Sequence, residues 1–559
     1  MAKLHSFLYR RHDILILMIV SLAVLTPYLF MHKIYNQDDF LFHKNRLLAF
    51  YQAVINHHDL HPMVFASMAR GFGYAADLFY PSLFTLPFVL FYYLGFGFIG
   101  SYYGLLLVFV FLTALISYYS ALDYFKHQNQ ALLFSVLYTT ATYYLTDLFI
   151  RGALGESMAY SFMPLFLIGL YRLYQNKKLG IILIGLALGT VANIHFLSTY
   201  MMIGLIIALN IYLLIVKKNS WHFIYRQFLA YALSIMLSIS VTLPVIEQMI
   251  HEKYQFMTDN YMARNGLTYS LGSLITSSIS NSAGVWQYIS PNIGPVLLAT
   301  LVFAIFNYKK LNNQNRLLFL ISSVLFVLSS NLLFWSFSKN TIFARIQFEW
   351  RLLTFVTIFS ALLLASLVKQ SKYQIIIIVV SILLSITFNF TTLNNFKIGK
   401  IHASTDSQFS KYGNEIIGGG EEFIPMQVNY DKPKKYFQMI TNPDSNHKIK
   451  KVPKLVEAIT KSHYIFPAKV TFVFPKYYYY GYELILNNKH VIHTYSYKGY
   501  VAANMPKGSG QYRLVYRKTF IQEISIVISS LSWLILAIYL IFTSIKNLQK
   551  NKRKAKRTL

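Results

Sequence analysis

Cysteine is absent from all 559 residues, which removes disulfides, thiolate metal sites and cysteine nucleophiles from consideration. Acidic residues are scarce as well. Only 21 Asp and Glu stand against 51 Lys and Arg, giving a formal net charge of +30. No phosphate loop, H-E-x-x-H or G-x-S-x-G run occurs, and no dinucleotide fingerprint stands in its strand-turn-helix setting, so the soluble nucleotide-dependent and common hydrolase classes find no support. Charged residues make up just 13% of the chain while 55% is hydrophobic and 17% aromatic, too much apolar surface for a soluble globule. A chain so embedded is not expected to bind nucleic acid.

What is present is a succession of apolar stretches of helical length, near residues 14–31, 99–122, 131–149, 159–174, 179–193, 196–216, 227–246, 292–307, 317–335, 352–368, 373–390 and 521–545. They predict a polytopic α-helical membrane protein with about twelve crossings rather than a β-barrel. An even count puts both termini on one side, and the basic loops make that side cytoplasmic: Arg10-Arg11, Arg172, Lys177-Lys178, Lys217-Lys218, Arg226, Lys309-Lys310, Arg316, Lys369, Lys372 and the tail. Segment 79–96 carries Pro81 and Pro87 and is read as re-entrant or interfacial. The expected organisation is a transmembrane domain over 1–390 with an outward first loop at 32–78, a β-rich extracytoplasmic domain over 391–520, a final helix at 521–545 and a basic cytoplasmic tail at 546–559, suited to anionic lipid headgroups. Within the β-rich block, Gly418-Gly419-Gly420 and Asn487-Asn488 are expected turns.

Ionisable residues beside a membrane are functional candidates by default. The densest group is Asp38-Asp39-Phe40-Leu41-Phe42-His43-Lys44-Asn45-Arg46. If Asp39 opens a helix, then Asp39, His43 and Arg46 fall at i, i+4 and i+7 on one face, an arrangement suited to taking a proton and holding a phosphate. An amphipathic interfacial helix is the alternative. A second group is Asp147 with Arg151-Gly152-Ala153-Leu154-Gly155-Glu156, otherwise a loop salt bridge. The third is Asn193-Ile194-His195 at a helix end. The fourth, Arg345-Ile346-Gln347-Phe348-Glu349-Trp350-Arg351, precedes a helix whose N-terminus with Arg345 and Arg351 would bind an anion, or whose Trp350 and Arg351 would serve as interfacial anchors.

The order of these motifs, together with Gly71-Phe72-Gly73-Tyr74, Leu78-Phe79-Tyr80-Pro81, Gln347-Phe348-Glu349-Trp350-Arg351-Leu352-Leu353 and Pro475 through Tyr482, resembles the bacterial membrane-protein family labelled 6-pyruvoyl-tetrahydropterin-synthase-related. That family is similar to the YfhO-like proteins and, more distantly, to the GT-C membrane glycosyltransferases. The chain departs from the resembled pattern at Glu349, where Pro is usual, and at Asp38, where Gly or His is usual. The resemblance implies a GT-C-like fold in a bacterial plasma membrane and transfer of a sugar from a polyprenyl-phosphate donor to an extracytoplasmic acceptor such as a teichoic acid. It implies a catalytic Asp in the first loop, Asp39 or Asp38. On the chemistry of such a transfer, Arg351, Arg151, His195 and Arg345 are the expected phosphate ligands, with His43, Arg46, Glu156 and Glu349 in support. No cofactor is certain. The doubled carboxylate leaves room for a divalent metal. The Tyr477 to Tyr482 run is expected to offer faces to sugar rings, or the block to rest on headgroups. Two other classes are compatible, a flippase for lipid-linked saccharides and a non-catalytic envelope-assembly protein; the uncharged cores of the spans favour surface chemistry over transport.

Overall fold

The computed structural model describes residues 2–36, 38–216, 221–257, 268–285, 288–332, 341, 346–409, 421–428, 437–441, 451–452, 461–466 and 469–557. Arg345 and Gly418-Gly419-Gly420 lie outside the described residues. Among the described residues, six helices are long and apolar enough to cross a bilayer: Gly97–Phe125, Phe196–Ile215, Trp221–His251, Glu349–Leu367, Ser371–Ile398 and Phe520–Lys546. Their outward faces are apolar, with Ile215 74% exposed and Ile535 66% exposed, which water would not tolerate over so long a surface. The chain is a membrane protein.

The expected figure of about twelve crossings is not confirmed, because several apolar runs are interrupted. Pro27 cannot continue the first helix, Ala2–Leu25, so the run at 14–31 is cut short. The run at 131–149 divides into Gln128–Thr139, Thr142–Thr146 and a π-helical turn, Asp147–Arg151. The run at 159–174 divides at Phe162, after which Pro164 in the first turn starts Met163–Tyr174. Segment 79–96 is broken, its apolar helix confined to Leu83–Tyr93.

Among the described residues, eleven short strands accompany the helices. β1 (Ile34–Tyr35) pairs antiparallel with β2 (Ala403–Ser404), stitching the start of the first loop to the end of Ser371–Ile398. The others are β3 (Phe437–Thr441), β4 (Lys451–Val452), β5 (Lys461–Phe466), β6 (Val470–Tyr477), β7 (Tyr482–Leu486), β8 (His490–His493), β9 (Tyr495–Tyr497), β10 (Tyr500–Met505) and β11 (Gly508–Tyr516). They form a five-stranded sheet ordered β4-β3-β6-β10-β9 and a four-stranded sheet ordered β5-β11-β7-β8. Alternation in β6 buries Val470, Phe472 and Phe474 on one face. Asn487 and Asn488, with φ of 50° and 60°, make the tight turn between β7 and β8, as their left-handed tolerance favours.

This β domain shares one core with the first loop. The Phe72 ring stacks on Tyr477 at 5.2 Å, the Tyr477 N–H donates to the Phe72 carbonyl at 2.9 Å, and Lys476 Nζ donates to the Gly71 carbonyl at 2.5 Å. Gln248, at the end of Trp221–His251, donates to the Tyr480 carbonyl at 2.7 Å and accepts from its N–H at 2.8 Å. Tyr477, Tyr478, Tyr479 and Tyr482 are therefore buried against the membrane domain. The faces expected for sugar rings are spent on docking, since large amphipathic rings bury well once their hydroxyls find partners.

The two ends of the helical domain differ in chemistry. Gly97–Phe125 begins beside the segment that follows Ser371–Ile398, where Asp406 Oδ1 accepts from the Ile99 N–H at 2.9 Å, and its last turn brings Asp123 to Arg172. Around that far end Gln314 reaches Tyr124, Arg226 reaches Asn176 and Asn129 reaches Ser371, so basic loops widely separated in sequence converge there.

Candidate functional site

Asp39 is the N-cap of the helix Phe40–His57, yet its side chain makes no cap bond to that helix. Instead its backbone N–H donates to the Arg151 carbonyl at 2.9 Å, which fixes the first loop onto the π-helical turn. His43 and Arg46 follow on the same helix and are buried, while Asp38 and Asp39 keep partial exposure. The i, i+4, i+7 spacing thus produces a row from a water-accessible acid to a wholly buried guanidinium.

Glu156 forms the hub beside this row. Its Oε2 accepts from Arg151 Nη1 at 2.7 Å and from Arg351 Nε at 3.0 Å, while Oε1 accepts from the Tyr143 hydroxyl at 2.8 Å. Arg151 Nη1 also donates to Asp147 Oδ1 at 2.6 Å. The π-turn explains how: the wider coil puts Asp147 and Arg151 on one side, and Gly152, with φ of 61°, reverses the chain so that Glu156 returns to them in the first turn of Leu154–Tyr160. A carboxylate there also meets the positive end of the helix. Arg351 arrives from the short turn Glu349–Leu352 and donates through Nη1 to the Ile346 carbonyl at 3.0 Å and to Gln347 Oε1 at 2.5 Å. Trp350, fully buried, lies under the Arg151 guanidinium at 5.0 Å from ring to Cζ.

Tyr80 ties the two halves together. Pro81 has no N–H and ends the short helix Ala76–Phe79, which frees carbonyls that Arg46 Nη1 takes from Tyr80 at 2.8 Å and from Pro81 at 3.3 Å. The Tyr80 ring lies 4.3 Å from the Arg46 Cζ, 5.5 Å from the His43 ring and 5.7 Å from the His195 ring. His195 opens Phe196–Ile215 and shares a 2.8 Å hydrogen bond between Nδ1 and Ser198 Oγ. A Cβ added at Gly155 would meet the Tyr80 hydroxyl at 1.8 Å and Cζ at 2.6 Å. Gly155→Ala is therefore expected to push the Tyr80 ring away from Arg46 and to lower the unfolding midpoint, as a thermal-shift measurement would read.

Electrostatics divide the groups by role. Burial pushes Asp38 up to about 9, aided by the adjacent Asp39. Burial raises Asp39 too, against the pull of Arg151 and Arg351. For Glu156, burial pushes upward but Arg151 and Arg351 more than reverse it, holding the carboxyl below its usual range. Burial keeps His43 well below the usual imidazole value and takes His195 down to about 3, so both rings are neutral donors or acceptors at physiological pH.

Of the residues singled out in the sequence, Asp38, Asp39, His43, Arg46, Arg151, Glu156, His195 and Arg351 are gathered around this cluster. Glu349 is buried with Oε1 unpartnered and has Tyr269 as a neighbour. Among the described residues no group of three or more His, Asp or Glu is arranged to hold a metal ion. Tyr80, Tyr143 and Gln347 were not legible as site residues; only the X-Pro break after Tyr80 hinted at freed carbonyls that a cation would take.

No family model matches the chain, and no curated protein matches it. The resemblance to the YfhO-like proteins thus rests on motif order alone. Among solved structures, the cryo-EM structure of the arabinofuranosyltransferase AftD from mycobacteria is similar over 68% of this chain, at 13% sequence identity and a TM-score of 0.40. This chain spans 27% of that protein's length, and a likeness at this level fixes neither family nor activity.

Proposed function

We propose that this chain is a GT-C-type glycosyltransferase of a bacterial plasma membrane, moving a sugar from a polyprenyl-phosphate donor to an extracytoplasmic acceptor. The observation that carries the reading is the juxtaposition of the partly exposed Asp39 with the buried Arg46, Arg151 and Arg351 at one end of the helical domain, beneath a docked β domain. A carboxylate beside a cationic cluster is what such a transfer requires. Asp39 removes the proton from an acceptor hydroxyl; its oxygen attacks the anomeric carbon; the bond from that carbon to the donor phosphate breaks, and the phosphate leaves with the electron pair. Positive charge held in place stabilises the departing phosphate.

Orientation follows from charge. The basic loops gather at the far end of the helices, and the positive-inside rule makes that end cytoplasmic, with both termini there and the acid-guanidinium cluster outside. The β domain then faces the envelope. Its exposed Lys489, Lys498, Lys507 and Arg513 suit an anionic acceptor such as a teichoic acid or another polyanionic glycopolymer or glycolipid.

Mass spectrometry of wall polymers and glycolipids from cells with and without the gene tests this reading. Loss of one sugar from an envelope polymer is expected. An unaltered set of sugars, or accumulation of a lipid-linked precursor on the cytoplasmic side, overturns it, the latter in favour of transport.

A further inference from the structure

The three guanidiniums of the cluster are not equivalent. Arg151 is ion-paired through Nη1 with Asp147 and Glu156, its buried Nε left without a partner, and Arg351 is bonded to Glu156, Gln347 and the Ile346 carbonyl, so the charge of both is compensated by the protein itself. Arg46 has 0% exposure and forms no ion pair among the described residues. Its Nη1 rests on two carbonyls, while Nε and Nη2 have no partner, and neither has Nδ1 of the neighbouring buried His43. The carboxyl acting on it is Asp77, whose Oδ1 is occupied by the Ser82 N–H at 2.7 Å. A buried guanidinium with two unfilled donors is costly unless an anion completes it.

Position supports the same assignment. Arg151 and Arg351 both act on the Asp39 carboxylate, so a phosphate held by them would lie on the side where the base works. Displacement at an anomeric carbon in line requires the attacking oxygen and the leaving phosphate on opposite faces of the sugar. Arg46 stands seven residues beyond Asp39 on the same helix face, roughly 10 Å along the axis at 1.5 Å per residue. That separation matches the length of a sugar ring with a polar contact of ~3 Å at either end. His43 lies between the two on the helix, and His195 approaches from across the Tyr80 ring.

We infer that Arg46, flanked by His43 and His195, receives the phosphate of the lipid donor, on the opposite side of the transferred sugar from Asp39. This rests on the glycosyltransferase reading and reassigns the phosphate from Arg151 and Arg351, which instead brace Glu156 and tune Asp39. The ligand is a phosphate monoester or diester oxygen group, matched by the two free donors of a planar fork.

Purified full-length protein in detergent micelles, titrated with decaprenyl phosphate, tests the assignment. Wild type is expected to bind, R46Q to bind at least tenfold more weakly, R46K to fall between because it keeps charge without the fork, and D39N to bind as wild type does. Binding by R46Q equal to wild type overturns the inference and leaves the proposed reaction standing. If R46Q does not fold, R46K decides, and undiminished binding by R46K overturns the assignment. Inorganic phosphate is the second probe: binding as tight as that of decaprenyl phosphate, with the same loss in R46Q, overturns the lipid-donor part. Absence of any lipid phosphate binding by wild type overturns the donor class proposed for the reaction itself.

Discussion

Asp39→Asn is expected to lower sugar transfer by about 10²–10⁴-fold, the range that removal of a positioned general base produces. Asn keeps the shape and the backbone contact of Asp39 to the Arg151 carbonyl, so membrane insertion and protein level stay normal. Incorporation of sugar into envelope polymer, in cells carrying only the variant, reads the effect; normal modification removes Asp39 from the reaction. Asp38 separates from it by pH. Burial raises both carboxyls and Arg151 and Arg351 draw both back; Asp38, with the adjacent Asp39 adding to its burial, is pushed up to about 9. Transfer is expected to rise with pH as Asp39 ionises, because the base acts deprotonated. Asp38→Asn is expected to leave this acid limb in place and remove only the ionisation near pH 9. A dead D38N with an active D39N would exchange their roles.

Glu156→Gln carries the largest expected effect on stability. Glu156 is 5% exposed and compensates two guanidiniums at 2.7 and 3.0 Å. Neutralising it removes the one carboxylate bonded to both Arg151 and Arg351, and loss of one partner from a buried ion group costs about 3–5 kcal/mol. The amide still accepts from Tyr143, so the loss is electrostatic rather than steric. Denaturant unfolding of the purified protein measures it. An unshifted midpoint would mean that the two arginines draw their compensation elsewhere, and Asp39 would be the group to examine.

The helical spacing of Asp39, His43 and Arg46 was legible because a 3.6-residue period fixes which side chains share a face without knowledge of anything they pack against. The same holds for the Asn487-Asn488 turn, whose backbone geometry is local. Distant pairings were not. That Glu156 would hold both Arg151 and Arg351 depends on a π-turn and on the approach of a segment 195 residues away, neither of which has a signature in the run of residue types. Span number also escaped, since breaks before Pro27, before Pro164 and at Thr140 interrupt runs that hydropathy alone reads as continuous. The tyrosine run was ambiguous for a chemical reason: a ring that stacks on sugar and a ring that stacks on Phe72 or Tyr254 are the same residue type, and only burial tells them apart.

The docking of Tyr477 and Lys476 onto Gly71 and Phe72 bears on any attempt to treat the β domain as an exchangeable part. The loop it grips leads directly to Tyr80 and Pro81, whose carbonyls hold Arg46. A chimera that swaps this domain for one of different acceptor preference would inherit a slackened loop unless the Gly71-Phe72 segment travels with it. Such hybrids would disturb the Arg46 contacts along with the β domain, and the natural graft boundary is the pair of surfaces together.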